Sequence, residues 1–349
     1  MTSTEHAPGY VVAVLGATGL VGQTMIAILE ERNFPVRTLI PLAASSDGRT
    51  VQFRGRAIPV QQVQPDSFIG VDIALFSAGG ETSRIYAPEA AARGCVVIDN
   101  SSAWRMDPNV PLVVSQVNPS ALRSHQGIVA NPNCSTMQLA PLLQTLSDAA
   151  GLKRVVVATY QAVSGAGGKS IDDLRQQRAT IVGGGVPRST IYPHAVVESP
   201  IPAIDLFLSD GSTKEETKVV NESRKILDLP ELRISATAVR VPVERSHSEA
   251  VHVELAGPLT PEEARAAFAK VPGVTVQDDP ANHTYPLAGK AAGSDEIFVG
   301  RVRVDASVEH GLAFWVVSDN VRKGAATNAV QIAELLVEMD LLHGAPHVA

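Results

Sequence analysis

Tyr10-Val-Val-Ala-Val-Leu15, followed at once by Gly16-Ala-Thr-Gly19-Leu-Val-Gly22, decides how the first half of this chain folds. The Val-rich run reads as a buried strand, and Gln23–Glu31 beyond the glycines reads as a helix. Strand, glycine turn and helix in immediate succession are the context that a dinucleotide fingerprint requires. Glycines let the backbone turn tightly and approach a pyrophosphate, which then rests on the helix N-terminus. The spacing is G-x-x-G-x-x-G rather than the commoner G-x-G-x-x-G, and a plain strand–turn–helix has the same outline. The contacts expected from this segment come from Gly16, Thr18, Gly19, Leu20 and Val21.

The pattern continues outward from that stretch. Val36–Ala43 reads as a second strand, and its end should carry the group that reads the cofactor ribose. No acid stands at the strand end. Ser45, Ser46 and Arg49 suit a 2′-phosphate and point to NADP, whereas Asp47 would suit ribose hydroxyls. Val71–Phe76 is a further buried strand ending in Ser77-Ala-Gly79-Gly80. A helix over Thr82–Arg93 leads to the strand Cys95–Ile98 and then to Asp99-Asn-Ser-Ser102. Alternating strands and helices predict a doubly wound parallel sheet of the Rossmann-like kind. Ligands bind off the carboxyl ends of such strands, where Gly16, Ser77, Gly79 and Ser101 fall.

Asn131-Pro-Asn-Cys-Ser-Thr136 marks a second junction. Pro132 disfavours helix for the residue before it, so the chain arrives extended from Ile128-Val-Ala130. A helical pattern follows through Met137, Leu142, Leu143 and Leu146. Cys134 thereby sits at a helix start, where free N–H groups and the helix dipole favour a thiolate. An isolated Cys is otherwise a small buried hydrophobe, and Cys95, inside a strand, reads that way.

Beyond Cys134 the strands lengthen and alternate. Arg154–Val163, Arg233–Val241, Ala250–Leu255, Ile297–Asp305 and Gly311–Val317 suit a mixed or antiparallel sheet with one face covered by helices. Lys214–Leu227 is a polar helix; Gly183-Gly-Gly185 and Asp278–Gly293 read as loops. The amphipathic helix Ala325–Leu342 is expected to pack back on the first domain. This predicts a nucleotide domain over residues 1–133, completed by 325–349, and an α+β domain over 134–324.

Composition bounds the functions. In 349 residues there are 29 basic and 36 acidic side chains, a net charge of -7 without long runs of one sign, so nothing predicts nucleic-acid or anionic-membrane binding. Two cysteines make no disulfide framework and point to a reducing compartment, hence a cytoplasmic location. No apolar run is long enough to span a bilayer, and Met1–Gly9 lacks a signal-peptide core. No cluster has metal-ligand spacing, so no metal is expected.

Seven segments together resemble the aspartate-β-semialdehyde dehydrogenase family. They are GATGLVG, NSSAWRMD at Asn100–Asp107, NPNCST, YQAVSGAG at Tyr160–Gly167, DGSTKEETKVVNESRKIL at Asp210–Leu227, RVPVERSHSEAV at Arg240–Val251, and SDNVRKGAATNAVQIAE at Ser318–Glu334. They span nearly the whole chain in the family's order. The resemblance implies reduction of L-4-aspartyl phosphate to L-aspartate 4-semialdehyde with NADPH, on the route to lysine (through diaminopimelate), threonine and methionine. It implies a homodimer, with homotetramers also occurring in the family. Cys134 is then the nucleophile, and His247 the group that manages protons as base in one direction and acid in the other. Arg240, seven residues earlier on the same strand-like segment, grips the substrate carboxylate with a bidentate fork. Glu215 takes the substrate ammonium; Lys218 and Arg105 take the phosphate; Gln161 orients the intermediate. Asn133 with the Cys134 or Ser135 N–H supplies an oxyanion hole. Ser164, Gly165 and Gly167 border the nicotinamide, and Asn328 meets its carboxamide.

On the residues alone each of these has a plainer reading. Glu215 and Lys218 are three apart, as an ordinary helical ion pair would be. Arg105 would pass for a solvated loop residue, and a lone His for a core or surface one. The family commonly has Arg where Ser45 or Ser46 stands, and often Gly where Ser246 precedes the His. N-acetyl-γ-glutamyl-phosphate reductase shares the cysteine, acyl phosphate and cofactor, but usually has Gly before the Cys and Tyr after it, against Asn133 and Ser135. A catalytically inactive nucleotide-binding relative would be expected to lack Cys134 or His247.

Overall fold

The computed structural model describes residues 9–342. Met1–Pro8 of the polar N-terminal stretch, and the outer ends of the ranges 1–133 and 325–349, lie outside the described residues. The chain divides into two units. One comprises residues 1–115, 119–132 and 326–349, and the other 116–118 and 133–325. Gln116–Asn118, Asn133 and Ala325 thus group with the second unit, where the sequence expectation had them in the first.

The first unit is a six-stranded parallel sheet. Its strands are β1 (Tyr10–Leu15), β2 (Val36–Ala43), β5 (Gln61–Gln62), β6 (Ile73–Phe76), β7 (Val96–Asp99) and β8 (Ile128–Ala130), in the order β5-β2-β1-β6-β7-β8. A hairpin not anticipated from sequence, β3 (Thr50–Phe53) with β4 (Arg56–Pro59), stands beside it. The order reverses between β1 and β6, and the ends of those strands carry Gly16 and Ser77. A Cβ on Gly16 would lie 2.4 Å from the Ser77 carbonyl oxygen, and one on Gly22 would lie 2.2 Å from that of Gly16. Only glycine allows this closeness of strand, turn and helix. Helix α1 (Leu20–Glu31) and α2 (Gly80–Ala92) follow β1 and β6. The C-terminal helix runs over Asn328–Glu338, shorter than expected, because Arg322–Thr327 forms a wider π turn before it. Its Ile332, Ala333 and Leu336 join Met25, Ile28 and Leu29 of α1 and the strand valines in one core.

The second unit is a six-stranded mixed sheet. It contains β9 (Leu152–Gln161), β10 (Arg233–Arg240), β11 (His247–Leu255), β12 (Val274–Val276), β13 (Ile297–Val304) and β14 (Gly311–Ser318), ordered β10-β9-β11-β14-β13-β12. The pairs β9–β10 and β12–β13 are parallel and the rest antiparallel. Helices α3 (Cys134–Ala150), α5 (Lys214–Ile226) and α6 (Pro261–Phe268) cover one face; α4 (Gly168–Val182) precedes α5 in the chain. Leu139, Leu142 and Leu146 of α3 pack there with Val155, Val157, Val251 and Val253. On the other face Tyr160 and Trp315 pair with ring centroids 5.3 Å apart, and Tyr160 is 39% exposed. Asp278–Gly293, expected as loop, contains a 3-10 turn at Pro280–Asn282 and a four-residue helix at Ala288–Ala291. No helix among the described residues is long and apolar enough to cross a membrane.

Candidate active site

Strand register assembles the second unit's polar centre. Arg240 pairs with Gln161 across β10 and β9, Ser248 pairs with Tyr160 across β11 and β9, and His247 pairs with Ser318 across β11 and β14. Arg240, Gln161, His247 and Ser318 therefore form one cross-strand row, and paired residues of a sheet share a face. The two residues expected on one segment, Arg240 and His247, lie instead on different strands with β9 between them. The chain leaves the sheet after Arg240 and returns at His247, so seven positions of sequence become two strand spacings.

The end of β9 ties the row together. Gln161 Nε2 donates to Glu215 Oε1 at 3.0 Å. The next residue, Ala162, accepts from Arg240 Nη1 at 2.6 Å and donates its N–H to His247 Nδ1 at 3.0 Å. A backbone N–H can only donate, so Nδ1 of His247 is an acceptor and the neutral ring carries its proton on Nε2. His247 is fully buried; burial, with the Arg240 charge beside it, holds its pKa down to about 3. The ring is thus a neutral N–H donor near neutral pH, and the tautomer leaves its acceptor nitrogen already engaged.

Cys134 is the first residue of α3, as expected, and is partly exposed. Asn133 caps that helix: its Oδ1 accepts the Ser135 N–H at 2.9 Å and its Nδ2 donates to Glu215 Oε1 at 2.9 Å. Asn133 Oδ1 and the Ser135 N–H are thus engaged in the cap, and Asn133 Nδ2 is engaged by Glu215. Asn133 N–H donates to Glu222 at 2.6 Å, a residue sequence reasoning passed over. Glu222 lies seven residues after Glu215, two helical turns on, so the spacing alone placed both carboxylates on one face of α5. Gly324 was missed as well: a Cβ there would lie 2.9 Å from Cys134 Cβ, so its lack of a side chain makes room for Cys134.

Glu215 is buried rather than on a solvated helix face. Burial raises its pKa, but Lys218 and the amides of Gln161 and Asn133 outweigh that and bring it to about 2. Lys218 bridges Glu215 at 3.1 Å and Asp205 at 2.8 Å. Gly165 closes the centre: a Cβ there would lie 2.8 Å from Arg240 Nη1 and 3.3 Å from His247 Nε2. Ser164 Oγ donates to Asn320 Oδ1 at 3.0 Å, and Gly167 caps α4. Asn320 Oδ1 also accepts the N–H of Ser246 at 3.0 Å. Ser246 has φ +76, in the left-handed region that favours glycine, and its buried hydroxyl makes no hydrogen bond. Ser246→Gly is expected to stabilise the fold by about 1 kcal/mol, read as a raised denaturant midpoint with unchanged slope.

In the first unit α1 begins at Leu20 with Gly19 as cap and no side chain on its first N–H groups. Thr18 and Val21 flank that start. The loop after β2 is exposed: Arg49 Nη2 reaches the Ser45 carbonyl at 3.0 Å, Ser45 Oγ donates to Asp47 at 2.6 Å, and Ser46 stands between. Ser77 directly follows β6, and Gly79 caps α2. Arg105 is buried and donates to the carbonyls of Asn131 at 2.9 Å and Asn100 at 2.7 Å, so it is no solvated loop residue. Asn328, expected at a nicotinamide, spends its amide on Val113 O, Asn131 Oδ1 and the Ser115 N–H.

Comparison with known proteins gives these parts a common setting. Residues 11–125 match the family model for the semialdehyde dehydrogenase NAD binding domain, and residues 139–323 the model for the semialdehyde dehydrogenase dimerisation domain. The aspartate-semialdehyde dehydrogenase of Aquifex aeolicus is 52% identical over 96% of this chain and 100% of its own length. The chain belongs to the aspartate-semialdehyde dehydrogenase family. The family member of Bacillus subtilis is 47% identical over 96% of this chain and 99% of its own. A solved structure of aspartate semialdehyde dehydrogenase II from Vibrio cholerae, complexed with ASA, is 46% identical, with a TM-score of 0.92 over 95% of this chain and 99% of that one. The Rossmann-like sheet and the mixed-sheet domain are those of this family.

Proposed function

We propose that this chain reduces L-4-aspartyl phosphate to L-aspartate 4-semialdehyde through a thioester on Cys134, with NADPH as the reductant. The observation that carries the reading is the knot around Gln161 and Ala162, which ties Arg240, His247, Glu215 and the Asn133 cap of the Cys134 helix. The Cys134 thiolate attacks the acyl carbon, and the carbon–oxygen bond to phosphate breaks. Arg240 holds the substrate carboxylate, Glu215 its ammonium, and Lys218 the phosphate; Arg105 keeps its sequence-based assignment to the phosphate. The Nε2–H of His247 donates to the oxygen on which charge develops, then to the sulfur when it leaves as thiolate. Gln161 orients the bound acyl group. NADPH, when bound, supplies the hydride.

The first unit fits that cofactor. Gly16 and Gly22 leave backbone room for a pyrophosphate, and the start of α1, with no side-chain cap, leaves N–H groups to meet it. Ser45, Ser46 and Arg49 meet the 2′-phosphate. Arg49→Ala is expected to lower kcat/KM for NADP by about tenfold or more while changing that for NAD little; steady-state assays with both cofactors check it. The reading includes a homodimer, supported by the dimerisation-domain match and by Tyr160, exposed on the sheet face opposite the helices, and a cytoplasmic location.

The reading is tested by oxidation of L-aspartate 4-semialdehyde with NADP, with and without phosphate. Phosphate-dependent turnover is the expected result. Turnover only with N-acetylated glutamate semialdehyde would overturn it.

A further inference from the structure

Glu249 has no part in the chemistry above. It lies on β11 two residues after His247, hence on the same helix-covered face, paired with Thr159 of β9 and Val316 of β14. It is fully buried, and neither carboxyl oxygen makes a hydrogen bond of ordinary geometry. The side chains that stand against it are those of Ser135 and Gln138, in the first turns of α3. The Ser135 hydroxyl and Gln138 Nε2 are themselves buried without partners, while Gln138 Oε1 accepts from Ser318 Oγ at 2.7 Å. Four orphaned polar atoms thus gather under the helix start that carries Cys134.

A buried carboxylate without a cation or donor hydrogen bonds is far costlier than a neutral acid. Burial pushes the Glu249 carboxyl well above the carboxylate range, against the smaller opposite influence of Gln138 and Ser135. The titratable side chains nearest it along these segments are His247, two residues before it on β11, and Cys134, at the start of α3; the paired strand positions carry Thr159 and Val316, and Ser318 pairs with His247.

We propose that Glu249 is a positioning residue for Cys134: a neutral carboxyl that supports Ser135 and Gln138 from below, and with them the backbone bearing the thiol. A neutral acid does this without setting a negative charge beneath the thiolate. The same support from an ionised glutamate would oppose the helix-start field that favours the thiolate. The inference rests on Cys134 being the nucleophile.

The experiment measures kcat and the pH profile of Cys134 alkylation by iodoacetamide in the full chain. The variants are Glu249→Gln, Glu249→Ala and Ser135→Ala, with Cys134→Ser as the control that identifies the alkylated thiol. Glu249→Gln, neutral and of the same shape, should leave kcat within about threefold and the alkylation midpoint in place. Glu249→Ala should lower kcat by about tenfold or more and move the alkylation profile, with KM little changed. Ser135→Ala removes the contact from the helix side with far less risk to folding, and should move the profile in the same direction. A Gln variant as impaired as the Ala variant, or one whose thiol midpoint falls as it would on loss of a negative charge, overturns the proposal. So does wild-type alkylation in both Ser135→Ala and Glu249→Ala. Activity retained in Cys134→Ser would instead overturn the covalent reading itself.

Discussion

Cys134→Ser is expected to lower turnover by about ten-thousand-fold or more, in line with other nucleophile knockouts. A serine at the start of α3 keeps the cap from Asn133 and the contact with Gly324, so the fold should be unchanged. What is lost is the thiolate. Even at a helix N-terminus a hydroxyl stays protonated near neutrality, and His247 is poorly placed to take its proton. Its acceptor nitrogen Nδ1 is occupied by the Ala162 N–H, and its pKa is held to about 3. A serine would need a strong base that this centre does not offer. The measurement is steady-state oxidation of the semialdehyde alongside a melting curve. Residual activity above about one per cent would mean that no covalent step through this side chain limits the reaction.

Gly165→Ala is expected to cost about a hundredfold in kcat/KM with almost no loss of stability. The added Cβ would lie 2.8 Å from Arg240 Nη1, which must give way. Nη1 is the far end of a flexible side chain, so yielding is cheap for folding. It is costly for binding, because the guanidinium is aimed by its 2.6 Å bond to the Ala162 carbonyl, and a bidentate fork tolerates little misplacement. The His247 ring, 3.3 Å from the same point, is crowded too. The expected pattern is a raised KM for the semialdehyde with a lowered kcat, and an unchanged KM for NADP. A variant that lost affinity for NADP instead would show that Gly165 serves the cofactor, as the sequence resemblance implied, rather than the Arg240 and His247 side chains.

Much of this protein was legible in the chain itself, and for local reasons. The run Tyr10–Gly22 specifies strand, turn and helix because hydrophobic periodicity and glycine placement act over a few residues. Cys134 was readable as a helix start for the same reason, since Pro132 acts on its immediate neighbour, whereas the Asn133 cap was not read. The mixed sheet followed from the alternation of its strands. The resemblance supplied the cast of polar residues, but not their arrangement. Neither the hairpin Thr50–Pro59 nor the π turn before Asn328 has a strong local signal, and both were missed.

The sequence by itself determined which elements form and which residues carry reactive groups. Tertiary structure alone decided what those groups are. Arg240 and His247, seven positions apart, are brought into one row only by a strand that comes some eighty residues earlier in the chain, through hydrogen bonds to Ala162. Glu215, an ordinary helical carboxylate by spacing, becomes a buried anion because Gln161, Asn133 and Lys218 surround it. Glu249, unremarked in the sequence, becomes a buried acid against Ser135 and Gln138 of α3. The reason is physical: a side chain's charge state and tautomer depend on burial and on partners, and those are set by register and packing across the sheet, not by neighbours along the chain.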